Sequence, residues 1–380
     1  MTRRHFLALT PAAIALAQSS APRPLRATVI GHTGRGDYGH GLEKIFVGRS
    51  GIEVVALADG DETGRRKTAA ALGLTKTYAD YREMLSQEKP DLVSVGMRHA
   101  DQHREVIVTA LAAGAHVYSE KPLCRTPAEA DAILAAAEKA GRKVAVAHTM
   151  RQAKHIRRLR DAILTDGLIG EVMELRAYGK QDQRAGGEDL MVLGSHLMDL
   201  MRMFTASDPL SCSARILTGG RDITKADARL VKDNVGLVAG DEVFAHYAFP
   251  RGINATFTST ARLREANGHW GIEIHGSKGS ARINCDLAPN AFVRETTGWR
   301  GTGRTDEWVP FDPATVLVPE AHNLDPVSDW LESIAKDREP ACSLRNAAWA
   351  VEMVCAAYTS ALSGKRAPFP LPERAHPLEN

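Results

Sequence analysis

Short apolar segments alternate with segments of helical periodicity along the chain from residue 25 onward. The first apolar segment, LRATVIG, is rich in β-branched residues and leads directly into a glycine-rich turn. Strands that alternate with helices in this way predict a parallel sheet with helices on both faces. The predicted strands lie at 25–31, 52–59, 91–97, 115–122 and 143–149. The predicted helices lie near 39–49, 63–73, 79–88, 101–114 and 127–141.

Beyond about residue 150 the pattern changes to a helix followed mainly by strand-like segments. The short turns at 249–252 and 276–279 join consecutive strands, which predicts antiparallel pairing. We therefore expect an α/β protein with one domain at 25–150 and an α+β domain at 151–380. The second domain is expected to hold a large, mostly antiparallel, open-faced sheet, and a helix near 343–363 is expected to pack back toward the first domain. The predicted strands of this half lie at 171–180, 211–219, 242–250, 253–260, 270–276, 280–285 and 290–295.

Composition and charge narrow the class of protein. The chain has 380 residues, 44% of them hydrophobic and 25% charged, which is typical of a globular protein with two domains. The formal net charge of +2 predicts no nucleic-acid partner. The five cysteines lack metal-type spacing, so neither a metal site nor a disulfide framework is predicted. The long polar segment at 219–241 fits either a functional lid or a solvated excursion.

The first 24 residues have the pattern of an export signal followed by a linker. Arg3 and Arg4 precede a Phe-Leu pair, and an apolar run then reaches Ala17, which ends an A-x-A cleavage pattern. Paired arginines of this kind resemble a Tat signal, whose pathway exports folded proteins. The run is too short to span a bilayer, so a stable membrane anchor is not expected. We expect cleavage after Ala17 and a periplasmic or otherwise exported protein.

The glycine-rich turn after the first predicted strand is typical of dinucleotide-binding sites. Gly31, Thr33 and Gly36 occupy the three fingerprint positions, with Thr33 where a second glycine is usual. Gly34 starts a second match, but one that begins too far beyond the strand. Asp59 ends the second strand, where a carboxylate accepts hydrogen bonds from the adenosine ribose and repels a 2′-phosphate. These residues predict NAD as the cofactor, with NADP a lesser alternative because two arginines follow closely.

The segment YSEKPLC at 118–124 is the most specific motif in the chain. With its neighbours it resembles the glucose–fructose oxidoreductase, inositol dehydrogenase and MocA (Gfo/Idh/MocA) family, and the similarity extends from residue 25 to about 370. The resemblance implies a Rossmann domain, an NAD-linked activity, and an open sheet whose free face forms a homodimer or homotetramer. The other matching segments are DLVSVGMRHADQH (91–103), DGLIGEVMELRAY (166–178), GSHLMDL (194–200), EIHGSKGS (273–280) and the C-terminal REPACSLRNAAWAVEMVCAAYTSALSGK.

The same resemblance assigns residues to a cleft between the domains. Lys121 is expected beside the nicotinamide and the reacting hydroxyl, where a positively charged ring would lower its pKa and allow it to transfer protons. Glu120 would orient Lys121, Pro122 would stiffen the strand exit, and His103 is expected against the cofactor. His148 and Arg151 follow the last strand, where the family commonly has a turn that lines the cleft. The candidate substrate contacts are Arg151, Lys180 and Asp199.

The stretch DLMVLGSHLMDL at 189–200 is apolar but carries a polar seam. On one continuous helix, Asp189, Val192, His196 and Asp199 would fall on a single stripe. The resemblance implies an acid and a histidine one turn apart, the histidine transferring the hydroxyl proton and the acid orienting it. His196 is retained, but Val192 stands where the acid is expected. Asp189 is therefore predicted as the replacement partner, with Asp199 or Glu188 as alternatives.

These observations predict an NAD(P)-dependent oxidoreductase that acts on a hydroxyl of a sugar, glycoside or cyclitol. The expected catalytic residues are Lys121, His196 and Asp189. Since an exported enzyme has no free nicotinamide pool, the cofactor is expected to be held tightly and recycled within the protein. An NAD-dependent glycoside hydrolase or lyase that uses transient oxidation at C3 is the enzymatic alternative. A non-catalytic binding protein on the same fold is the second alternative.

Overall fold

Two sheets, one in each half of the chain, organise the protein. The computed structural model describes residues 23–263, 270–285, 290–296, 307–311 and 323–379. The predicted export signal and its cleavage point after Ala17 lie outside these residues. The predicted fold class is confirmed, because a parallel sheet with helices precedes a mostly antiparallel sheet.

The first sheet is parallel throughout and contains all five predicted strands. Its strands are β1 (Leu25–Ile30), β2 (Ile52–Ala58), β3 (Thr77–Tyr78), β4 (Leu92–Val95), β5 (His116–Ser119) and β6 (Val144–Val146). Its helices are α1 (Glu62–Leu72), α2 (Tyr81–Glu88), α3 (His103–Ala112) and α4 (Pro127–Ala140). The strand order is β3-β2-β1-β4-β5-β6, so the order reverses between β1 and β4. Ligand crevices form at such a reversal, outside the carboxyl ends of the strands.

The second sheet has ten strands and is antiparallel except where β7 pairs with β11. Its strands are β7 (Val172–Tyr178), β8 (Ser211–Thr218), β9 (Arg221–Asp222), β10 (Glu242–Ala248), β11 (Asn254–Thr260), β12 (Gly271–Gly276), β13 (Ser280–Asn284), β14 (Ala291–Arg294), β15 (Val309–Pro310) and β16 (Ala367–Pro368). The helices of this half are α5 (Lys154–Leu164), α6 (Gly187–Val192), α7 (Gly194–Thr205), α8 (Leu324–Ala335) and α9 (Leu344–Ser363). The strand order is β15-β14-β13-β12-β7-β11-β10-β8-β16, with β9 paired to β8.

Two helices of the second half also contact the first sheet and its helices. Helix α9 packs against β8 and α7 on one side and against α4 and β6 on the other. Trp330 of α8 is fully buried among side chains of the first sheet, including Tyr118. The two domains therefore share an apolar core, which holds the two sides of the cleft between them in place.

The predicted helix at 39–49 is wrong. Residues Gly39–Lys44 form only a short 3-10 turn, in which His40 and Gly41 have positive φ angles of 49° and 75°. Leu42 and Phe46, which are four residues apart, are buried beneath α8. Their apolar spacing reflects burial, and the glycines on both sides of His40 allow a backbone that no α-helix adopts.

The predicted single helix at 189–200 is also wrong, because it breaks at Leu193. Helix α6 ends at Val192 and α7 begins at Gly194, where a Cβ would lie 3.2 Å from the ring of Phe257. Every residue of α7 is buried. The break moves Asp189 off the stripe that His196 and Asp199 share.

The outer face of the second sheet presents cross-strand neighbours that are partly exposed. Tyr178 and Phe244 both pair with Thr258 and are 39% and 42% exposed. The predicted homodimer or homotetramer through this face stays a prediction. Within residues 23–379, where described, no helix is long and apolar enough to cross a membrane.

Candidate active site

A cavity of about 310 Å³ lies between the two domains. Four of the predicted residues line it: Lys121 and Pro122 from the first domain, and Lys180 and His196 from the second. The lining side chains that sequence reasoning missed include His40, Arg98, Arg184, Asp233, Trp270 and Asn323. Asp233 belongs to the segment 219–241, so that segment contributes to the wall of the cleft.

Lys121 follows β5 and extends across the cleft. Its Nζ donates a hydrogen bond to the Val192 carbonyl oxygen at 3.3 Å, and its backbone N–H donates to Glu120 Oε2 at 2.5 Å. Burial lowers the pKa of the Lys121 ammonium, and the charge of Glu120 offsets only part of that effect. An amine with a lowered pKa exchanges protons more readily near neutral pH.

Glu120 lies beneath Lys121 and is fully buried. Its carboxylate is hydrogen-bonded to the ring of His40 in the 3-10 turn, and the Asn323 amide donates to the His40 carbonyl oxygen at 3.1 Å. Burial alone would raise the pKa of the Glu120 carboxyl, but His40 and Lys121 hold it below its usual range. Glu120 therefore acts as a fixed negative charge that orients the loop carrying Lys121. The one sequence signal for His40 was its place between two glycines.

His196 lies on α7 and faces the cleft from the second domain. Its ring centroid is 5.4 Å from that of His148, which meets it edge to face, and 6.0 Å from that of Trp270. Val192 also lines the cavity and brings only an apolar side chain. Position 192 therefore lacks the acid that the family resemblance implies as the partner of His196.

The predicted pairing of Asp189 with His196 is contradicted by the geometry. Asp189 is fully buried between α6 and the second sheet and does not line the cavity. Its carboxylate accepts hydrogen bonds from Lys180 N at 3.2 Å, Gln181 N at 3.0 Å and Ser259 Oγ at 2.6 Å. Burial raises the pKa of Asp189 although these bonds favour the charged form. Asp189 therefore anchors the segment after β7. Glu188, the other alternative, also lies outside the cavity lining.

Arg151 and Asp199, predicted to contact substrate, bind each other behind the cavity. Arg151 Nε lies 2.9 and 2.8 Å from the two Asp199 carboxylate oxygens, and Nη2 donates to the Asp199 carbonyl oxygen at 2.8 Å. Neither side chain lines the cavity, and the Asp199 side chain is only 2% exposed. The pair joins α7 to the turn after β6, so substrate contact is not the role that the structure gives it.

A second cavity, a groove of about 260 Å³, opens at the carboxyl ends of β1, β2 and β4, where the strand order reverses. Gly31 and Asp59 line it, as does Gln102. Asp59 already accepts hydrogen bonds from Thr33 N, Thr33 Oγ1, Tyr38 Oη and Asp61 N. A ribose hydroxyl that binds Asp59 must therefore replace one of these donors.

The remaining residues of the glycine turn serve the turn itself. Gly36 has a φ of +88°, and a Cβ there would lie 2.6 Å from the backbone nitrogen of Arg98. Gly34 is exposed at the tip of the turn with a φ of +79°. Thr33 is occupied with Asp59, as described above. Of the predicted turn residues, Gly31 is the one that borders the groove.

His103 is not the cofactor contact that the resemblance implied. It is fully buried, with Nδ1 at 2.9 Å from the Pro122 carbonyl oxygen and Nε2 at 2.7 Å from the Met97 carbonyl oxygen. A buried ring whose two nitrogens each lie against a backbone carbonyl oxygen presents no nitrogen to a ligand. His103 ties the loop after β4 to the loop that carries Lys121.

The groove and the cleft have the properties that a dinucleotide requires. The groove presents Gly31 and a carboxylate at the strand-order reversal, and the cleft presents Lys121 at the carboxyl end of β5 on the same edge of the sheet. Arg98, an exposed residue, lies between them in the chain and lines the cleft. The residues present therefore fit the predicted cofactor.

Comparisons with known proteins agree with this arrangement. A profile of an oxidoreductase family with an NAD-binding Rossmann fold matches residues 25–148, and a profile of the Gfo/Idh/MocA C-terminal domain matches residues 156–282. The chain is 27% identical over 335 residues to the D-apiose dehydrogenase of Paraburkholderia graminis, covering 83% of this chain and 82% of that protein. It is 31% identical over 188 residues to the D-glucoside 3-dehydrogenase of Escherichia coli, covering 46% of this chain and 52% of that protein. A solved structure of levoglucosan dehydrogenase in complex with NADH and levoglucosan shares the fold, with a TM-score of 0.74 at 19% identity, covering 92% of this chain and 100% of that chain.

Proposed function

The chain belongs to the Gfo/Idh/MocA family of NAD-linked oxidoreductases, and from this premise we propose that it oxidises a hydroxyl of a sugar, glycoside or cyclitol. The observation that carries the proposal is that Lys121 and His196, two proton-transfer groups from different domains, line one cavity. The names of two relatives support the substrate class, since they act on D-apiose and on a D-glucoside. When bound, NAD⁺ supplies the hydride acceptor.

The residues that would hold the cofactor follow from the two cavities. Gly31 and Asp59 would hold the adenosine half in the groove, and Arg98 offers a cation for the phosphates. Glu120, which contacts both His40 and the backbone N–H of Lys121, would keep Lys121 in place where the nicotinamide half is to bind.

We assign the proton of the reacting hydroxyl to His196. As the O–H bond breaks, the proton passes to an imidazole nitrogen of His196, and the Lys121 ammonium donates a hydrogen bond to the same oxygen. The lowered pKa of Lys121 strengthens that donation, because a more acidic ammonium is a stronger hydrogen-bond donor to the negative charge that develops on the oxygen. Trp270, only 6% exposed, shields this side of the cleft from water.

Polar groups on the second-domain wall would select the sugar. Lys180, Arg184 and Asp233 line the cavity together, and they offer both donors and an acceptor for hydroxyl groups. Arg184 is itself held by Asp182, whose Oδ1 lies 3.0 Å from Arg184 Nε. A site that satisfies buried polar groups with substrate hydroxyls rejects analogues that lack them.

The predicted export signal motivates a second element of the proposal, an enzyme that works in the periplasm. An enzyme delivered folded to the periplasm must carry its cofactor with it, so we propose that NAD remains bound and is reoxidised by a second sugar. Changing both Arg3 and Arg4 to Lys is expected to retain the protein in the cytoplasm. Nicotinamide released by acid from protein purified without added cofactor would support tight binding, and its absence would contradict it.

A panel of aldoses, methyl glycosides and inositols tests the activity, with reduced nicotinamide absorbance as the signal. At least one member is expected to reduce the cofactor, and Lys121→Met is expected to abolish the signal while the exposed-site control Lys67→Met does not. Release of nitrophenol from a nitrophenyl glucoside without net reduction would point to the hydrolase or lyase alternative. No signal with any member in cofactor-loaded protein would contradict the proposed class.

A further inference from the structure

A second buried histidine, His148, borders the proposed proton acceptor His196. His148 is 3% exposed, and its ring meets that of His196 edge to face with centroids 5.4 Å apart. Its Nδ1 lies 4.0 Å from Asp199 Oδ1. Its Nε2 is buried and has no hydrogen-bond partner among the described residues. A buried imidazole nitrogen without a partner is costly unless it serves a neighbouring group.

The acid that the resemblance implies as the orienting group for His196 is absent from position 192. Val192, one turn earlier, carries no polar side-chain group, and its carbonyl oxygen accepts the hydrogen bond of Lys121 Nζ. Asp189 is fully engaged with the segment after β7 and with Ser259. Neither residue therefore offers His196 a side-chain acceptor.

Asp199 provides a carboxylate next to His148. Arg151 binds both oxygens of Asp199 and fixes the carboxylate near His148, whose Nδ1 lies 4.0 Å from Asp199 Oδ1. His148 therefore lies close both to this carboxylate and to the ring of His196.

We propose that His148, backed by Asp199 and Arg151, is a positioning residue that sets the orientation and proton affinity of His196. The inference rests on the proposed function of His196 as proton acceptor. The Asp199 carboxylate, 4.0 Å from Nδ1, favours the tautomer of His148 that carries its proton on Nδ1, and we assign the Nε2 lone pair to accept a hydrogen bond from a ring N–H of His196 during the reaction. The imidazolium formed when His196 takes up the hydroxyl proton is stabilised by that acceptor.

The protonation state of His148 supports this assignment. Burial lowers the pKa of His148, and the charges that face it come from several elements. Arg151 and Lys121 oppose its protonation, whereas Asp199 and Glu120 favour it. The neutral form has one donor and one acceptor nitrogen, which the arrangement requires.

The test is a titration of His196 in the cofactor-loaded protein, labelled with [¹³C]histidine and followed by NMR. The His196 signal is assigned by its loss in His196→Gln. His148→Phe keeps a ring against His196 but removes the acceptor, and it is expected to move the His196 midpoint to lower pH by about 0.5–1 unit, the equivalent of one hydrogen bond. His148→Gln retains an acceptor oxygen and is expected to restore part of that shift.

His376→Phe is the matched control. His376 is also 3% exposed, and its ring lies 6.0 Å from that of Tyr358, away from the cleft. The control is expected to leave the His196 midpoint unchanged. An unchanged midpoint in His148→Phe, or an equal shift in His376→Phe, would overturn the proposal. The titration needs no turnover. If the protein oxidised no sugar, the proposed function would be contradicted, but the shift of the His196 midpoint could still be interpreted.

Discussion

Replacing Asp189 separates a structural role from a catalytic one. The carboxylate is fully buried and accepts three hydrogen bonds, two from backbone N–H groups of the segment after β7 and one from Ser259. Asp189→Ala removes the acceptor and leaves those donors without partners in a site closed to water. Asp189→Asn keeps the shape but turns an acceptor into a donor that faces other donors.

The magnitude follows from the number of donors left unsatisfied. Each buried unsatisfied donor costs about 1–3 kcal/mol, and allowing for partial relaxation we expect Asp189→Ala to lose about 3–5 kcal/mol of unfolding free energy. At about 2 cal/mol/K per residue this corresponds to a fall in Tm of about 4–7 °C. Asp189→Asn is expected to fall between this variant and the wild type.

The assay combines thermal unfolding with turnover of the folded fraction, and Asp166→Asn at an exposed acid is the control. Because Asp189 does not line the cavity, kcat per folded molecule is expected to stay within about threefold of wild type. A normal Tm together with a loss of turnover of about 100-fold or more would refute the structural assignment and restore Asp189 as the acid that assists His196.

Three further predictions follow from named contacts. Tyr38→Phe removes one of the donors that occupy Asp59, so NAD affinity measured by calorimetry is expected to rise by about 2- to 10-fold, whereas weaker binding would show that the Tyr38 hydroxyl contacts the cofactor. Arg151→Met leaves Asp199 buried without its partner and is expected to cost about 3–5 kcal/mol in denaturant unfolding, while Arg215→Met in the exposed pair with Asp222 costs no measurable stability; equal effects would contradict the difference in burial. Burial lowers the pKa of His116 to about 4, below the unfolded value of about 6.5. The contribution of His116 to stability is therefore complete above about pH 6.5 and is lost as the pH falls toward 4. His116→Gln is expected to reduce the loss of Tm between about pH 7.5 and pH 4.5, and an unchanged loss would contradict this.

The periodicity of the chain predicts its elements well where burial and secondary structure agree. Five of the six strands of the first sheet follow from short apolar runs, and β3 is missed because two residues show no period. The failure at 39–49 has a different cause. Leu42 and Phe46 are buried, and burial produces apolar spacing whether or not the backbone is helical, so only the positive φ of His40 and Gly41 separates the two cases.

Some residues of the candidate site could be predicted from the sequence and others could not. Lys121 and His196 lie in motifs whose chemistry is local, and the structure brings both to one cavity. Asp189 was placed by projecting one unbroken helix, and the break at Leu193 invalidates that projection. His40, Arg184 and Asp233 reach the cleft from three separate loops, which no local pattern predicts. His103 has the residue type of a ligand, but both its nitrogens are used by backbone carbonyls.

In the proposed reaction, Lys121 and His196 move and stabilise the charge of the reacting hydroxyl in one cleft. A single-turnover experiment tests both roles: cofactor-loaded wild type, Lys121→Met and His196→Gln are mixed with the sugar that the panel identifies, and formation of reduced nicotinamide is followed by absorbance. With cofactor content measured separately and equal, each variant is expected to be slower than wild type by about 100- to 10,000-fold. Reduction at the wild-type rate in either variant would contradict the account.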